Sequence, residues 1–350
     1  MDQGKSTASE PPEREGHGHE SDSEKPGEPY KYTPLPEPEP AELGQDPLLE
    51  PKTLWTRLLT IHPGQYDDEI AVDLNNVALE EKAESHLRDK NEYDPEYRIS
   101  AAPHLQQYEA LSYVWGSQEN PSHVVVGDER RILSISRSLD VAMRHLRYPD
   151  RPRVIWIDAI CINQTSDSDK NRQVGYMRHI YWSTPRVVIW LGPEADDSDH
   201  AMDVIRSIGE KILRINWATA QTKFVTDEDE EVWGDHRRMA DLPLEERDRS
   251  AIESLIKRPW FERIWIRQEV FLASDEAVVY CGRSRSPFEL FRRALYRVAR
   301  ETSTETSRAR IVLIPKYVRL EWLRFDHYRA KCSEPRDYVY GTLGILPWLF

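Results

Sequence analysis

One carboxylate in this sequence has a neighbour that would change its chemistry. Glu269 stands four residues after Trp265, so a helix at this position places both side chains on one face. An acid held against an indole is partly desolvated, which raises its pKa and strengthens its effect on a nearby developing cation. The alternative is an ordinary ion pair, because arginines stand at positions 258, 263 and 267. The residues alone leave both interpretations open.

A second carboxylate, Asp158, directly follows the apolar run 154–157. In open α/β sheets, ligands bind outside the carboxyl ends of the parallel strands, which is where this residue would lie. The same rule selects Gly116, Ser117 and Gly192. Asp158 is then either a carboxylate at the mouth of a pocket or a cap of the next turn, through the backbone amides of Ile160 or Cys161.

Other catalytic chemistry finds less support in the sequence. Cys161 and Cys281 could be nucleophiles, but both stand beside strand residues, where a small buried hydrophobe is the commoner role. With Cys332 they form an odd set without C-x-x-C spacing, and we expect no disulfide framework, no metal site and no bound cofactor. No Walker loop, G-x-S-x-G or G-x-G-x-x-G motif is present. We expect most tryptophans to be core residues rather than the lining of a nucleotide pocket.

The second carboxylate would be positioned by a strand–helix–strand unit. Two runs of β-branched and aromatic residues, 154–157 and 187–191, lack polar alternation, which is typical of strands buried on both faces of a parallel sheet. A helix between them begins after the capping residues of 165–169. Its apolar positions recur at helical spacing: Val174, Met177, Ile180 and Tyr181. One βαβ unit is therefore predicted as the nucleus of an α/β domain.

Further elements are predicted on both sides of this unit. Apolar runs bounded by turn residues indicate strands at 70–74, 108–115, 124–126, 131–135 and 277–280. Apolar residues at helical spacing indicate helices at 80–87, 136–146, 201–215, 261–272, 287–300, 313–330 and 336–346, of which the one at 201–215 is an insertion. The run 52–61 fits a strand or a helix.

The first 51 residues differ in composition from the rest of the 350-residue chain. They hold ten of the 24 prolines and, with 13 acidic against four basic residues, carry most of the net charge of −14. Such a segment has too little apolar surface to offset the entropy of ordering. We therefore predict a disordered acidic tail over 1–51 and a folded domain over 52–350.

Composition also limits the compartment and the partners. No apolar run is long enough to cross a bilayer, and the N-terminus lacks the apolar region of a signal peptide. Together with the cysteine pattern, this predicts a cytoplasmic protein without a membrane span. A negative net charge without a basic cluster argues against a nucleic-acid partner.

Three blocks in this sequence resemble the fungal heterokaryon incompatibility (HET) domain. They are Y-E-A-L-S-Y-V-W-G at 108–116, the segment 154–192 that opens with V-I-W-I-D-A-I-C-I-N-Q, and R-P-W-F-E-R-I-W-I-R-Q-E-V-F-L-A at 258–273. Three ordered blocks rich in rare residues form a far more specific signal than any one of them. The resemblance implies that 52–61 is a strand. It also implies a role in nonself recognition as a cell-death effector, with self-association or other cell-death proteins as partners.

The HET domain is itself distantly similar to Toll-type (TIR) domains, which implies a flavodoxin-like, mainly parallel sheet with helices on both faces. Many Toll-type domains cleave NAD with the glutamate of a W-x-x-x-E helix, and Trp265 and Glu269 have that spacing. The resemblance thus implies that Glu269 is catalytic and NAD the substrate. We expect the substrate to lie against Asp158, Trp115, Gly116, Ser117 and Trp265.

Two alternatives to an NAD-cleaving enzyme remain open. The domain could be a non-enzymatic module that signals through homotypic assembly, because no second catalytic group is recognisable. It could also be an inactive homologue, and the apolar terminus Trp348-Leu349-Phe350 is expected of a truncated protein.

Overall fold

The structure, a computed structural model, describes residues 27–37, 53–80, 107–216, 221–234 and 242–298, together with 331, 335, 337, 339 and 341. Its strands are β1 Thr53–Ile61, β2 Ala71–Glu80, β3 Glu109–Ser112, β4 Ser122–Val126, β5 Arg131–Ile135, β6 Arg153–Trp156, β7 Arg186–Trp190, β8 Ile212–Asn216, β9 Gln221–Phe224, β10 Val278–Cys281 and β11 Ser284–Pro287. Its helices are α1 Arg137–Leu146, α2 Asp158–Cys161, α3 Asp167–Ser183, α4 Ser198–Glu210, α5 Asp227–Trp233, α6 Glu246–Ile256, α7 Ile266–Phe271 and α8 Phe288–Val298.

A mixed sheet organises this part of the chain, in the order β11-β10-β7-β3-β6-β1-β2-β4-β5. Strand β3 pairs in parallel with both β6 and β7, and β7 pairs in parallel with β10. Numbered by their order in the chain, these four strands follow the sequence 2-1-3-4 of a flavodoxin-type doubly wound sheet. The α/β prediction is confirmed. The predicted βαβ unit is confirmed as well, although its two strands are not neighbours, because β3 lies between them.

Strands β6 and β7 are buried on both faces, as their apolar runs predict. Trp156 and the three residues 187–189 have no exposed surface. The indole N–H of Trp156 donates to the hydroxyl of Thr56 on β1 at 3.1 Å, so its polar atom is satisfied inside the core. Helix α3 begins with a cap from Ser166 and turns toward the sheet a face that includes Met177, Ile180 and Tyr181.

The other half of the sheet is mainly antiparallel. Strand β1 pairs along its whole length with β2 and through its last three residues with β6. The run 52–61 is therefore a strand, as the family resemblance implies. The predicted strands at 124–126 and 131–135 are present as β4 and β5, which pair as an antiparallel hairpin. The turn between them contains Gly127 with φ of +66°, a conformation that favours glycine.

The predicted insertion helix is shorter than its apolar pattern. Helix α4 ends at Glu210, and Ile212 and Ile215 lie in β8 instead. Both isoleucines are buried while Leu213 is 48% exposed. The pairing with β9 changes register between Ile212 and Arg214, so two residues that are three apart both face the core. Two further helices, α5 and α6, follow β9 in the described part of the chain.

The predicted helix at 261–272 is divided in two. A single 3-10 turn covers Pro259–Glu262, and α7 covers only Ile266–Phe271. Between them Arg263 forms a parallel bridge with Lys331, and the amide of Ile264 donates to the Lys331 carbonyl at 3.2 Å. Pairing with another chain segment requires extended backbone, so one continuous helix cannot form here.

Residues 27–37, called the strap below, pack against the domain although they lie inside the predicted disordered tail. Pro29 bridges Ile132 of β5, and the Tyr30 amide donates to the Ile132 carbonyl at 2.8 Å. Leu35 is only 5% exposed. The prediction of disorder does not hold for the strap, because two tyrosines and a leucine supply apolar surface that the average composition conceals. The other residues of 1–51 lie outside the described part.

Some predicted elements cannot be compared. The predicted helix at 313–330 and Cys332 lie outside the described residues. So does the predicted helix at 80–87, except for Glu80, which is the last residue of β2. Within the described ranges, no helix is both long and apolar enough to cross a membrane.

Candidate functional site

Polar side chains gather at the carboxyl ends of β3, β6 and β7. The chain leaves β3 for β6 on one side and then crosses to β7 on the other, so the edge between β3 and β7 is the topological switch point of the sheet. Ligands bind at such points in doubly wound folds. Ala110 of β3 is paired with Trp156 of β6, so Ser112 and Asp158, each two residues further along, both lie at this edge.

Glu269 reaches this edge from helix α7. Its side chain is only 1% exposed, and its carboxylate accepts a hydrogen bond from the Ser112 hydroxyl. The indole N–H of Trp260 donates to the same hydroxyl at 2.9 Å. Trp265 is the N-cap residue of α7 and is half-buried against the core. The carboxylate is therefore linked to an indole through Ser112, but the indole is that of Trp260 rather than of the predicted Trp265.

Arg263 faces the Glu269 carboxylate, with Nη1 at 3.6 Å from Oε2. This Nη1 atom is buried and makes no hydrogen bond. Of the three arginines that the sequence offers as partners, the structure thus selects Arg263. Its side chain is 17% exposed and that of Glu269 is 1% exposed, so the pair is not an ordinary surface ion pair. Arg258 is used elsewhere, because its guanidinium donates to the carbonyls of Leu191 and Pro193 at 3.1 and 2.8 Å. We name the set Ser112, Asp158, Trp260, Arg263 and Glu269 the carboxylate cluster.

Burial raises the pKa of Glu269 to about 7. The Arg263 charge and the Ser112 hydrogen bond oppose this rise, whereas the negative charge of Asp158 adds to it. Burial would lower the pKa of Arg263, but Glu269 and Asp158 outweigh that effect and raise it. Arg263 therefore stays charged between two acids, one of which titrates near neutral pH.

Asp158 is held at the first residue of α2. Its Oδ2 accepts the indole N–H of Trp115 at 2.7 Å, and its Oδ1 accepts the amide of Ala159 at 2.7 Å. The amides of Ile160 and Cys161 donate to the Ile157 carbonyl instead, so the predicted cap on those two amides does not form. Burial raises the pKa of Asp158, against the lowering effects of Arg263 and Trp115.

Gly116 and Ser117 lie in an exposed turn after β3. Gly116 has φ of +72°, and a Cβ atom there would lie 2.8 Å from the Cβ of Ser138, so this position requires glycine. The Ser117 hydroxyl accepts the amide of Glu119 at 3.1 Å. The structure therefore brings Asp158, Trp115 and Glu269 to the cluster, while Gly116 and Ser117 shape the adjacent turn.

The two described cysteines are buried. Burial raises the pKa of the Cys161 thiol to about 12 and raises that of Cys281 as well. Thiols of this kind are poor nucleophiles at neutral pH. Within the described ranges, no group of three or more His, Cys, Asp or Glu side chains could hold a metal ion.

Sequence reasoning missed Ser112 and Trp260. Both stand inside the blocks that carry the resemblance, Ser112 at the end of β3 and Trp260 in the 3-10 turn. A signal for Ser112 existed, because the rule that selected Gly116 and Ser117 also applies to the last residue of the strand itself.

Comparison with known proteins gives one family and one relative. Residues 108–269, which include every member of the carboxylate cluster, match the sequence model of the family described as "Heterokaryon incompatibility protein (HET)". A protein of Neurospora crassa, "Heterokaryon incompatibility protein 6, OR allele", is 34% identical over 203 residues. The match covers 50% of this chain and 28% of that protein, so the chain aligns with under a third of the relative. No solved structure matches the chain.

Proposed function

Since the chain carries a heterokaryon incompatibility (HET) domain, matched over residues 108–269, we propose that it takes part in fungal nonself recognition as an effector of cell death. The name of the Neurospora crassa relative supports this role. Because the match covers 28% of that relative, the role is carried to this chain only through the shared domain.

The chemistry that the site supports best is hydrolysis of the glycosidic bond of NAD. One observation carries it: two acids, Glu269 and Asp158, meet beside Arg263 at the switch point of the sheet. This is where a doubly wound fold binds a nucleotide. The strand order 2-1-3-4 also supports the likeness to Toll-type domains, from which the glutamate's role is taken.

The reaction needs few residues. The bond between ribose C1′ and the nicotinamide nitrogen breaks, its electron pair goes to the ring, and nicotinamide leaves as a neutral molecule without a general acid. Positive charge develops on the ribose, where the Glu269 carboxylate stabilises it. Water then adds to C1′ and gives its proton to a carboxylate, which Asp158 supplies. Arg263 opposes the rise of the Glu269 pKa that burial causes and so increases the ionised fraction near neutral pH.

The site is closed in this structure. Glu269 and Asp158 are 1% and 8% exposed, so a nucleotide reaches them only after a neighbouring segment moves. Helix α2, which begins at Asp158, and the short α7 are the two elements that carry the acids. A site that opens only in the activated state suits an effector whose reaction is lethal to the cell.

The same burial favours a second candidate, a non-enzymatic module that acts by homotypic assembly. A buried glutamate held by Ser112 and Arg263 is also the arrangement of a structural ion pair that specifies the fold. In that case the cluster fixes α7 against the sheet and makes no contact with a substrate.

Nicotinamide release from NAD distinguishes the two candidates. The full chain would be forced to oligomerise through a fused coiled coil, and Glu269→Gln would be compared with the wild type. We expect a loss of activity of about 10² to 10³-fold, because the amide keeps the shape but loses the charge. Glu276→Gln is the matched control, since that carboxylate is exposed in the turn before β10.

Equal release by the wild type and Glu269→Gln would remove Glu269 from the mechanism. No release by a folded wild-type oligomer, verified by circular dichroism and by its mass in solution, would reject the glycohydrolase and leave the assembly module.

A further inference from the structure

The strap contacts the segment that carries Asp158. The Tyr32 hydroxyl donates to the carbonyl of Ile160 at 2.9 Å. Ile160 lies in α2, two residues after Asp158. An N-terminal segment thus touches the backbone of the helix that holds one acid of the carboxylate cluster.

Arg57 of β1 forms hydrogen bonds with the strap, with α2 and with α3. Its guanidinium donates to the Thr33 carbonyl of the strap at 3.1 Å and to the Cys161 carbonyl at the end of α2 at 3.0 Å. Its charge is balanced by Asp169 in the first turn of α3 at 2.9 Å. The side chain is 3% exposed, and the Tyr32 ring lies 5.1 Å from it in a cation–π contact. The strap is therefore part of the environment that keeps α2 in place.

The strap is held more weakly than the sheet. Of its 11 residues only Leu35 is buried, Tyr30 and Tyr32 are half-buried, and the other eight are exposed. Further support comes from two side chains of the domain, because Asn76 and Arg172 donate to the Pro34 and Pro36 carbonyls at 3.0 and 3.3 Å. Segments with few buried apolar contacts open at a lower free energy than the core.

From these contacts we propose that the strap is an autoinhibitory element. It holds α2, and with it Asp158 of the carboxylate cluster, in the buried position. Its displacement releases α2 and opens the cluster to solvent on the side of Asp158. Opening leaves the sheet intact, because α2 joins β6 to α3 outside the strand pairings. The consequence for catalysis rests on the proposed glycohydrolase, whereas the control of α2 by the strap does not.

Amide hydrogen exchange measures this control without reference to activity. The reporters are the amides of Ile160, Cys161 and Ile162, which donate to carbonyls at the start of α2. In the full chain, Leu35→Asp places a charge in the buried contact and should release the strap. We expect exchange at the three reporters to become at least roughly tenfold faster, with the amides of β7 unchanged.

Two further variants sharpen the test. Lys31→Asp adds a carboxylate at an exposed position of the strap and should leave the exchange of α2 unchanged. Tyr32→Phe removes only the hydroxyl that reaches Ile160 and should give a smaller acceleration, with the melting temperature of the domain preserved.

The outcomes separate the two proposals. Faster exchange of α2 in Leu35→Asp and Tyr32→Phe, together with faster nicotinamide release, supports both. Faster exchange with no nicotinamide release from any variant supports the strap and rejects the glycohydrolase. Unchanged exchange of α2 in both variants, or equal acceleration in Lys31→Asp, overturns the strap inference whatever the activity.

Discussion

The Ser112 hydroxyl donates a hydrogen bond to the Glu269 carboxylate, which ties the end of β3 to helix α7 across 157 residues of chain. The direction of this bond is fixed by a third residue. Because the Trp260 indole N–H can only donate, the Ser112 oxygen accepts from it and turns its own proton toward Glu269. This hydrogen bond stabilises the ionised carboxylate, so it opposes the rise of the Glu269 pKa that burial causes.

Replacing Ser112 by alanine should therefore raise the pKa of Glu269 above about 7. It should also cost on the order of 1 to 3 kcal/mol of stability, since the Trp260 N–H is left buried without an acceptor. Titration of Glu269 by carbon-13 NMR and unfolding in urea give the two quantities. Ser117→Ala is the control, because that hydroxyl lies in an exposed turn. An unchanged Glu269 pKa in Ser112→Ala would contradict the role assigned to the bond.

The pH dependence of stability should carry a signature of Glu269. Its pKa is 4.5 in the unfolded chain and about 7 in the folded one, so between these values the folded state binds more protons. The contribution to stability is then fully present below about pH 4.5 and is lost as the pH rises to 7, by roughly 3 kcal/mol. Glu269→Gln should remove this slope while Glu276→Gln keeps it. Parallel stability curves for wild type and Glu269→Gln across this range would show that the acid does not titrate there.

Truncation of Trp156 should destabilise the domain without acting on the site directly. Trp156→Ala leaves a cavity in the centre of the sheet, and we expect a loss of about 3 to 5 kcal/mol. Trp156→Phe should cost less, because it keeps most of the buried area. Some loss remains, since Thr56 no longer accepts the indole N–H. Chemical denaturation measures both, and an unchanged midpoint for Trp156→Ala would mean that the indole is not packed as described.

Two glycine substitutions should act in opposite directions. Gly116→Ala meets both a positive φ and the Cβ of Ser138, and a loss of at least roughly 1 to 3 kcal/mol is expected. Gly175→Ala lies in the interior of α3 with nothing within 4 Å of the added atom, so it should stabilise by about 0.5 to 1 kcal/mol. Melting curves of the two variants test the pair. Destabilisation by Gly175→Ala would show that other residues pack closely against α3 at this position.

The strands β6 and β7 could be predicted because an apolar run without alternation identifies a doubly buried strand on its own. Their neighbours in the sheet could not, since the pairing of Ala110 with Trp156 depends on chain segments far apart and has no local signal. The run 52–61 alone did not distinguish a strand from a helix, and the family resemblance identified it as the strand β1. It supplied information about partners that the run 52–61 does not contain.

The residues of the site likewise fall into those that the sequence predicts and those that it does not. The position of Asp158 followed from the strand that precedes it, and the proximity of an arginine to Glu269 followed from the local sequence. The choice of Arg263 did not, because it depends on the bend at 263–264 that pairing with Lys331 imposes. That bend also makes Trp265 the cap of α7 and leaves Trp260 as the indole linked to the carboxylate through Ser112.

The central place of β3 has a consequence for how the domain reaches its native state. A βαβ unit usually offers two adjacent strands that pair as soon as their helix has formed, but here the slot between β6 and β7 must be filled by a strand made earlier in the chain. Each parallel contact of this region closes a long loop, from Glu109 to Ile155 and from Glu109 to Arg186. High contact order of this kind slows folding and prolongs the lifetime of unpaired strand edges. During synthesis, β3 therefore keeps an unpaired edge until both β6 and β7 have been made.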